Sequence, residues 1–142
     1  MTAAPAVIDT NVVVAGLLTE VSSSPTARIL DGMLAGRFRF LLSVELLAEY
    51  RDVLLRPKIQ RRHQLAQGEV DVLLTEIAAN GVALEVESPA GGSGRKGDDH
   101  LRRILSAEPS ALLLTGDLRL TNQLGKTIKV LTPREFADLM GD

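Results

Sequence analysis

The sequence predicts an α/β fold: one domain over residues 1–142, with a central, mainly parallel five-stranded sheet flanked by helices on both faces. Three observations carry that expectation. Short runs rich in Leu, Val and Ile alternate with longer stretches whose apolar residues recur at helical spacing. Strands separated by helices imply right-handed crossovers and parallel pairing. The length, 142 residues, suits one domain with a real core.

The elements follow in order. Ala6–Asp9 is an apolar run ending in an acid and reads as a buried first strand. Asn11–Leu18 has helical character, and Ser22-Ser23-Ser24-Pro25 caps a second helix through about Ala35, with Gly36 as its stop. Phe38–Leu42 is a second strand, after which Ser43 caps a helix from Val44 to about Leu55 that Arg56-Pro57 ends. Gln67–Asn80 is helical, with Asn80-Gly81 expected to close it through a left-handed residue. Val82–Val86 is a third strand, and Glu87–Lys96, containing Gly91-Gly92-Ser93-Gly94, is a loop. Asp98–Ala107 is helical, Ala111–Thr115 and Ile128–Leu131 are the last strands, and Pro133 opens a closing helix toward Met140.

Composition removes several function classes. With 3 Phe, 1 Tyr and no Trp, the chain lacks the platforms on which RNA-recognition and single-strand-binding sheets stack bases. The absence of Cys excludes a disulfide scaffold, a thiolate zinc site and a Cys nucleophile. The N-terminus reads as no signal peptide, and no apolar run nears the roughly 20 residues of a membrane span, so a soluble, cytoplasmic protein is expected. The net charge of −2 conceals two basic runs: Arg51, Arg56, Lys58, Arg61, Arg62 and His63, and then Arg95, Lys96, Arg102 and Arg103. Either could attract phosphate, or simply be solvated surface.

Four acids stand out: Asp9, Glu49, Asp98 and Asp117. Asp9 and Asp117 each end an apolar run, which places both at the carboxyl edge of a parallel sheet, where such folds bind ligands. On the helix after Ser43, Leu46, Leu47, Tyr50, Val53 and Leu54 form the apolar stripe. Glu49 falls roughly 100° from its centre, whereas Glu45 and Asp52 fall roughly 140° and 160° away and face solvent. Asp98 lies about 70° from the face of Leu101, Ile104 and Leu105, and Asp99 nearly opposite. Each acid alone has a simpler role as a helix cap or dipole partner. Taken together, an oxygen-only acidic cluster suits Mg²⁺ or Mn²⁺, which could activate water against a phosphodiester. Thr10 and Asn11 are placed to hydrogen-bond the ligating carboxylates. His100 is a candidate phosphate contact, although a lone His near a helix start is more often a surface residue.

The chain resembles the PIN-domain ribonucleases, among which are toxins of bacterial toxin–antitoxin pairs. The resemblance is carried by Val7-Ile8-Asp9-Thr10-Asn11-Val12-Val13-Val14-Ala15-Gly16-Leu17-Leu18 and by Leu46-Leu47-Ala48-Glu49-Tyr50-Arg51-Asp52-Val53-Leu54-Leu55-Arg56-Pro57-Lys58. Gly97-Asp98-Asp99-His100-Leu101 and Leu113-Leu114-Thr115-Gly116-Asp117 complete it. It implies a metal-dependent endoribonuclease whose acidic pocket, formed by Asp9, Glu49, Asp98 and Asp117, holds Mg²⁺ or Mn²⁺, with Thr115 lining it. It also implies an RNA substrate, a homodimer and a small antitoxin partner. Arg56, Lys58, Arg61 and Arg62 are the candidate RNA-binding residues. The glycine-rich lead-in to Asp98 departs from many relatives.

Other readings share some of these features. A DNA- or structure-specific nuclease could use the same pocket, but would be expected to carry longer insertions for threading a strand. A receiver-like signalling module would place a phospho-acceptor Asp after the third strand, where this chain has Val86-Glu87-Ser88-Pro89. An inactive binding scaffold would have no need of all four acids.

Overall fold

The computed structural model describes residues 4–85 and 99–141, with the side chain of Asp99 left outside that set. Asp98, Arg95, Lys96, the glycine-rich loop and the far end of the expected third strand lie outside the described residues.

Five strands and eight helices alternate along the described chain. β1 (Ala6–Ile8) leads into α1 (Thr10–Leu18) and α2 (Pro25–Ala35), then β2 (Leu41–Leu42), α3 (Val44–Leu54), α4 (Pro57–His63), α5 (Gln67–Asn80) and β3 (Val82–Ala83). After the undescribed segment come α6 (Asp99–Ala107), β4 (Leu112–Leu114), α7 (Leu118–Leu124), β5 (Val130–Leu131) and α8 (Pro133–Met140).

Every strand pairing among the described residues is parallel, as the alternation of strands and helices demands. The expected five-stranded sheet is instead two ladders, one in the order β1-β4-β5 and one pairing β2 with β3. Among the described residues an isolated bridge between Ala6 and Phe40 joins them, with the Ala6 amide donating to the Arg39 carbonyl at 3.0 Å. The strands are two or three residues long, so few rungs are available between the ladders. All residues of β1 and β4 are buried, which requires cover on both faces of that sheet.

Local chemistry explains most boundaries. The Ser24 and Ser43 side chains accept from the Ala27 and Leu46 amides and start α2 and α3. Gly36 ends α2 at φ 67°, a conformation that costs glycine little. Gly81 differs from expectation: it is extended, at φ −94° and ψ 172°. Its value lies in space, because a Cβ there would come within 2.6 Å of Leu42 Cδ1 and 2.7 Å of Phe40 Cε2. The basic stretch after Arg56 is also a helix, α4; it buries no residue and so carries no apolar period in the sequence.

The core gathers β1 and β4 with Ile29 and Met33 of α2, Leu46, Tyr50 and Leu54 of α3, and Leu101 and Ile104 of α6. Among the described residues no helix is long and apolar enough to cross a membrane.

Candidate metal centre

The centre of the site follows from strand register. β1 and β4 are neighbours, with Ile8 opposite Leu114, and the Asp9 amide donates to the Leu114 carbonyl at 3.0 Å. Parallel pairing therefore brings Asp9 and the Thr115-Gly116-Asp117 turn out at the same carboxyl edge, as anticipated. Thr115, fully buried, donates its hydroxyl to Asp9 Oδ2 at 2.7 Å and accepts the Asp117 amide at 3.0 Å. One hydroxyl thus ties the two acids into one unit.

The two acids differ in what else they do. Asp9 stands at the N-cap position of α1, yet its side chain makes no capping hydrogen bond. It is only 8% exposed. Its buried carboxylate turns instead to the Thr115 hydroxyl. Asp117 does cap, its Oδ1 accepting from the Arg119 amide at 2.9 Å and the Leu120 amide at 3.4 Å, while Arg119 reaches its Oδ2 at 3.6 Å.

Glu49 comes to the same edge from α3, where Leu46, Tyr50 and Leu54 are buried and Glu49 is half-buried beside them. The Thr10 hydroxyl donates to its Oε2, and His100 Nε2 lies 3.3 Å from its Oε1. His100 above all, then Thr10 and the Arg56 charge, holds the Glu49 carboxyl below its ordinary range against the opposing effect of burial. Glu45 is not the solvent-facing acid the helical wheel suggested: it is half-buried under Arg103, which reaches its two oxygens at 3.2 and 2.5 Å. Asp52 is exposed and pairs with Arg56 at 3.3 Å.

Two further residues stand beside the acids: Tyr50, expected only in the apolar stripe of its helix, and His100, a candidate phosphate contact. Tyr50 is entirely buried and donates its hydroxyl to the Ile8 carbonyl at 2.6 Å, one residue before Asp9. Burial, reinforced by the charges of Asp9 and Glu49, drives its ionisation well above the usual tyrosine range, so it stays a neutral donor. Its signal was available: a tyrosine in an apolar stripe needs a buried acceptor. His100 was expected at the surface but is buried, 8% exposed. It stands one helical turn before Ile104 and so shares the buried face.

The remaining expected residues are less tightly held. Asn11 is exposed and makes no side-chain hydrogen bond among the described residues. Arg56, Lys58, Arg61 and Arg62 are exposed on and before α4. Arg56 is near enough to act on Glu49, so this basic run begins beside the acids.

Asp9, Glu49 and Asp117 offer only oxygen, the donor type that hard divalent cations take. Among the described residues no group of three or more acidic, His or Cys side chains is close enough to form a complete ligand set. The fourth acid, Asp98, lies outside them.

A family model for the PIN domain matches residues 5–119, which spans all four acids. The chain belongs to the PIN-domain family. Its members share a fold that is generally a nuclease fold and are typically metal-dependent hydrolases. No curated protein matches the chain.

Proposed function

We propose that this protein is a Mg²⁺- or Mn²⁺-dependent endoribonuclease, the toxin of a toxin–antitoxin pair, acting as a cytoplasmic homodimer that a small antitoxin protein silences. Beyond family membership, the observation that carries the reading is the Asp9–Thr115–Asp117 unit, in which one buried hydroxyl holds the Asp9 carboxylate and accepts the Asp117 amide. Asp9, Glu49, Asp98 and Asp117 would hold the ion. When bound, the ion supplies an activated water and offsets charge on the phosphodiester. The chain's own residues orient the acids: Thr115 fixes Asp9, Thr10 turns Glu49 inward, and the first amides of α7 hold Asp117. Arg56, Lys58, Arg61 and Arg62 draw the nucleic-acid backbone toward that edge.

RNA is favoured over DNA because the connections between elements among the described residues are short, where a strand-threading nuclease would be expected to carry longer insertions. Val44 and Leu118, 85% and 73% exposed, open α3 and α7 at the acidic edge and offer apolar contact for a second subunit. A cleavage assay on RNA and DNA, with Mg²⁺, with Mn²⁺ and with chelator, tests the chemistry. RNA should be cut only with metal; cutting that persists in chelator, or cutting of DNA alone, overturns it. Expression should arrest growth, and co-expression of the neighbouring small reading frame should relieve the arrest. Arrest that the neighbour fails to relieve leaves a free-standing nuclease.

A further inference from the structure

Glu49 is held in place by side chains from two other elements, α1 and α6. It projects from the middle of α3 on a flexible side chain and is only half-buried, so its own helix leaves the carboxylate free to turn toward solvent. Two donors from different elements stand against that. Thr10, on α1, holds Oε2, and His100, on α6, places Nε2 3.3 Å from Oε1. The second contact is close but not in line, and neither imidazole nitrogen has an aligned hydrogen-bond partner among the described residues. Both nitrogens are sealed from water. A buried imidazole in that condition has a cost, and among the described residues it is turned toward the Glu49 carboxylate.

We propose that His100 is a positioning residue that, with Thr10, clamps both oxygens of Glu49 and holds the carboxylate facing the metal centre. This rests on the metal-dependent reading above. The ionised carboxylate only accepts, so Nε2 is the nitrogen that carries the hydrogen. The same donors that fix a ligand's orientation raise affinity for the ion, and losing one typically lowers it about 10–100-fold.

The test compares His100→Ala, His100→Gln and His100→Asn by calorimetric titration with Mn²⁺ alone, together with a double-mutant cycle of His100→Ala and Glu49→Gln read by thermal stability in chelator. The amide nitrogen of Gln falls near the position of Nε2, and that of Asn near Nδ1. H100A and H100N should bind Mn²⁺ more weakly by about 10-fold or more, and H100Q should recover most of the loss. The cycle should show coupling between the two residues without any metal. A folded H100A with wild-type affinity overturns the clamp, as does an absence of coupling in chelator. Should H100A fail to fold, equal affinities of H100Q and H100N overturn it. A wild-type protein that takes up no Mn²⁺ overturns the metal reading itself and the positioning role with it. Wild-type uptake that H100A matches overturns the positioning role alone.

Discussion

Thr115 donates its hydroxyl to Asp9 while accepting the backbone amide of Asp117, so a single buried oxygen couples acids 108 positions apart in the chain (117 − 9). Replacing it with Val keeps the volume but leaves the Asp9 carboxylate short of a donor. T115V should lose about 1–3 kcal/mol in urea denaturation under chelator. It should also bind Mn²⁺ about 10-fold or more weakly. Unchanged values in both would separate Thr115 from the site.

The two strand-end acids should respond alike to Asn, and Asp117 should also lose a helix cap on truncation. Asp9→Asn should abolish cleavage without loss of stability, because it relieves repulsion and keeps an oxygen for Thr115. Asp117→Asn should behave alike, since Asn caps helices as well as Asp does. Asp117→Ala, which removes the cap on the Arg119 and Leu120 amides, should additionally lose about 1 kcal/mol. Wild-type turnover by purified D9N would end the nuclease assignment.

Tyr50 ties the end of β1 to α3 through the Ile8 carbonyl. Tyr50→Phe should lose about 0.5–1.5 kcal/mol at neutral pH by denaturant titration. Because folding raises the tyrosine pKa, the folded chain holds that proton more tightly than the unfolded one. The resulting stability is complete below the ordinary pKa of 10.0 and is lost as pH rises beyond it, toward the folded value. Y50F should therefore show a shallower alkaline decline than wild type, with equal slopes counting against the buried donor.

Gly81 sits against Phe40 and Leu42, both fully packed in the core. Gly81→Ala should destabilise by about 1–3 kcal/mol through overpacking. A neutral result would return Gly81 to the role of an ordinary helix stop.

Nucleic-acid binding should depend on α4 and its cap. Replacing Arg56, Lys58, Arg61 and Arg62 with Ala should weaken RNA binding and flatten the dependence of log K on log salt, by a slope of up to about 0.7 per lost phosphate contact. An unchanged slope would move the binding surface to another part of the chain.

Much of this protein was legible in sequence because its signals are local. Apolar runs marked β1 and β4, serines before apolar periods marked α2 and α3, and the 100° geometry of a helix separated Glu49 from Asp52. Asp9 and Asp117 could be placed at one edge because parallel strands of like direction must end together. Tertiary structure decided what depends on neighbours far along the chain. Burial of His100, the Arg103 partner that draws Glu45 from solvent, and the packing that requires glycine at position 81 arise between elements distant in sequence. The split of five strands into two ladders is of the same kind, since pairing length depends on how strands dock and not on their own composition. Residue patterns determine which face of each element is apolar. Only the docking of those faces determines which polar group meets which, and hence which acids share one hydroxyl.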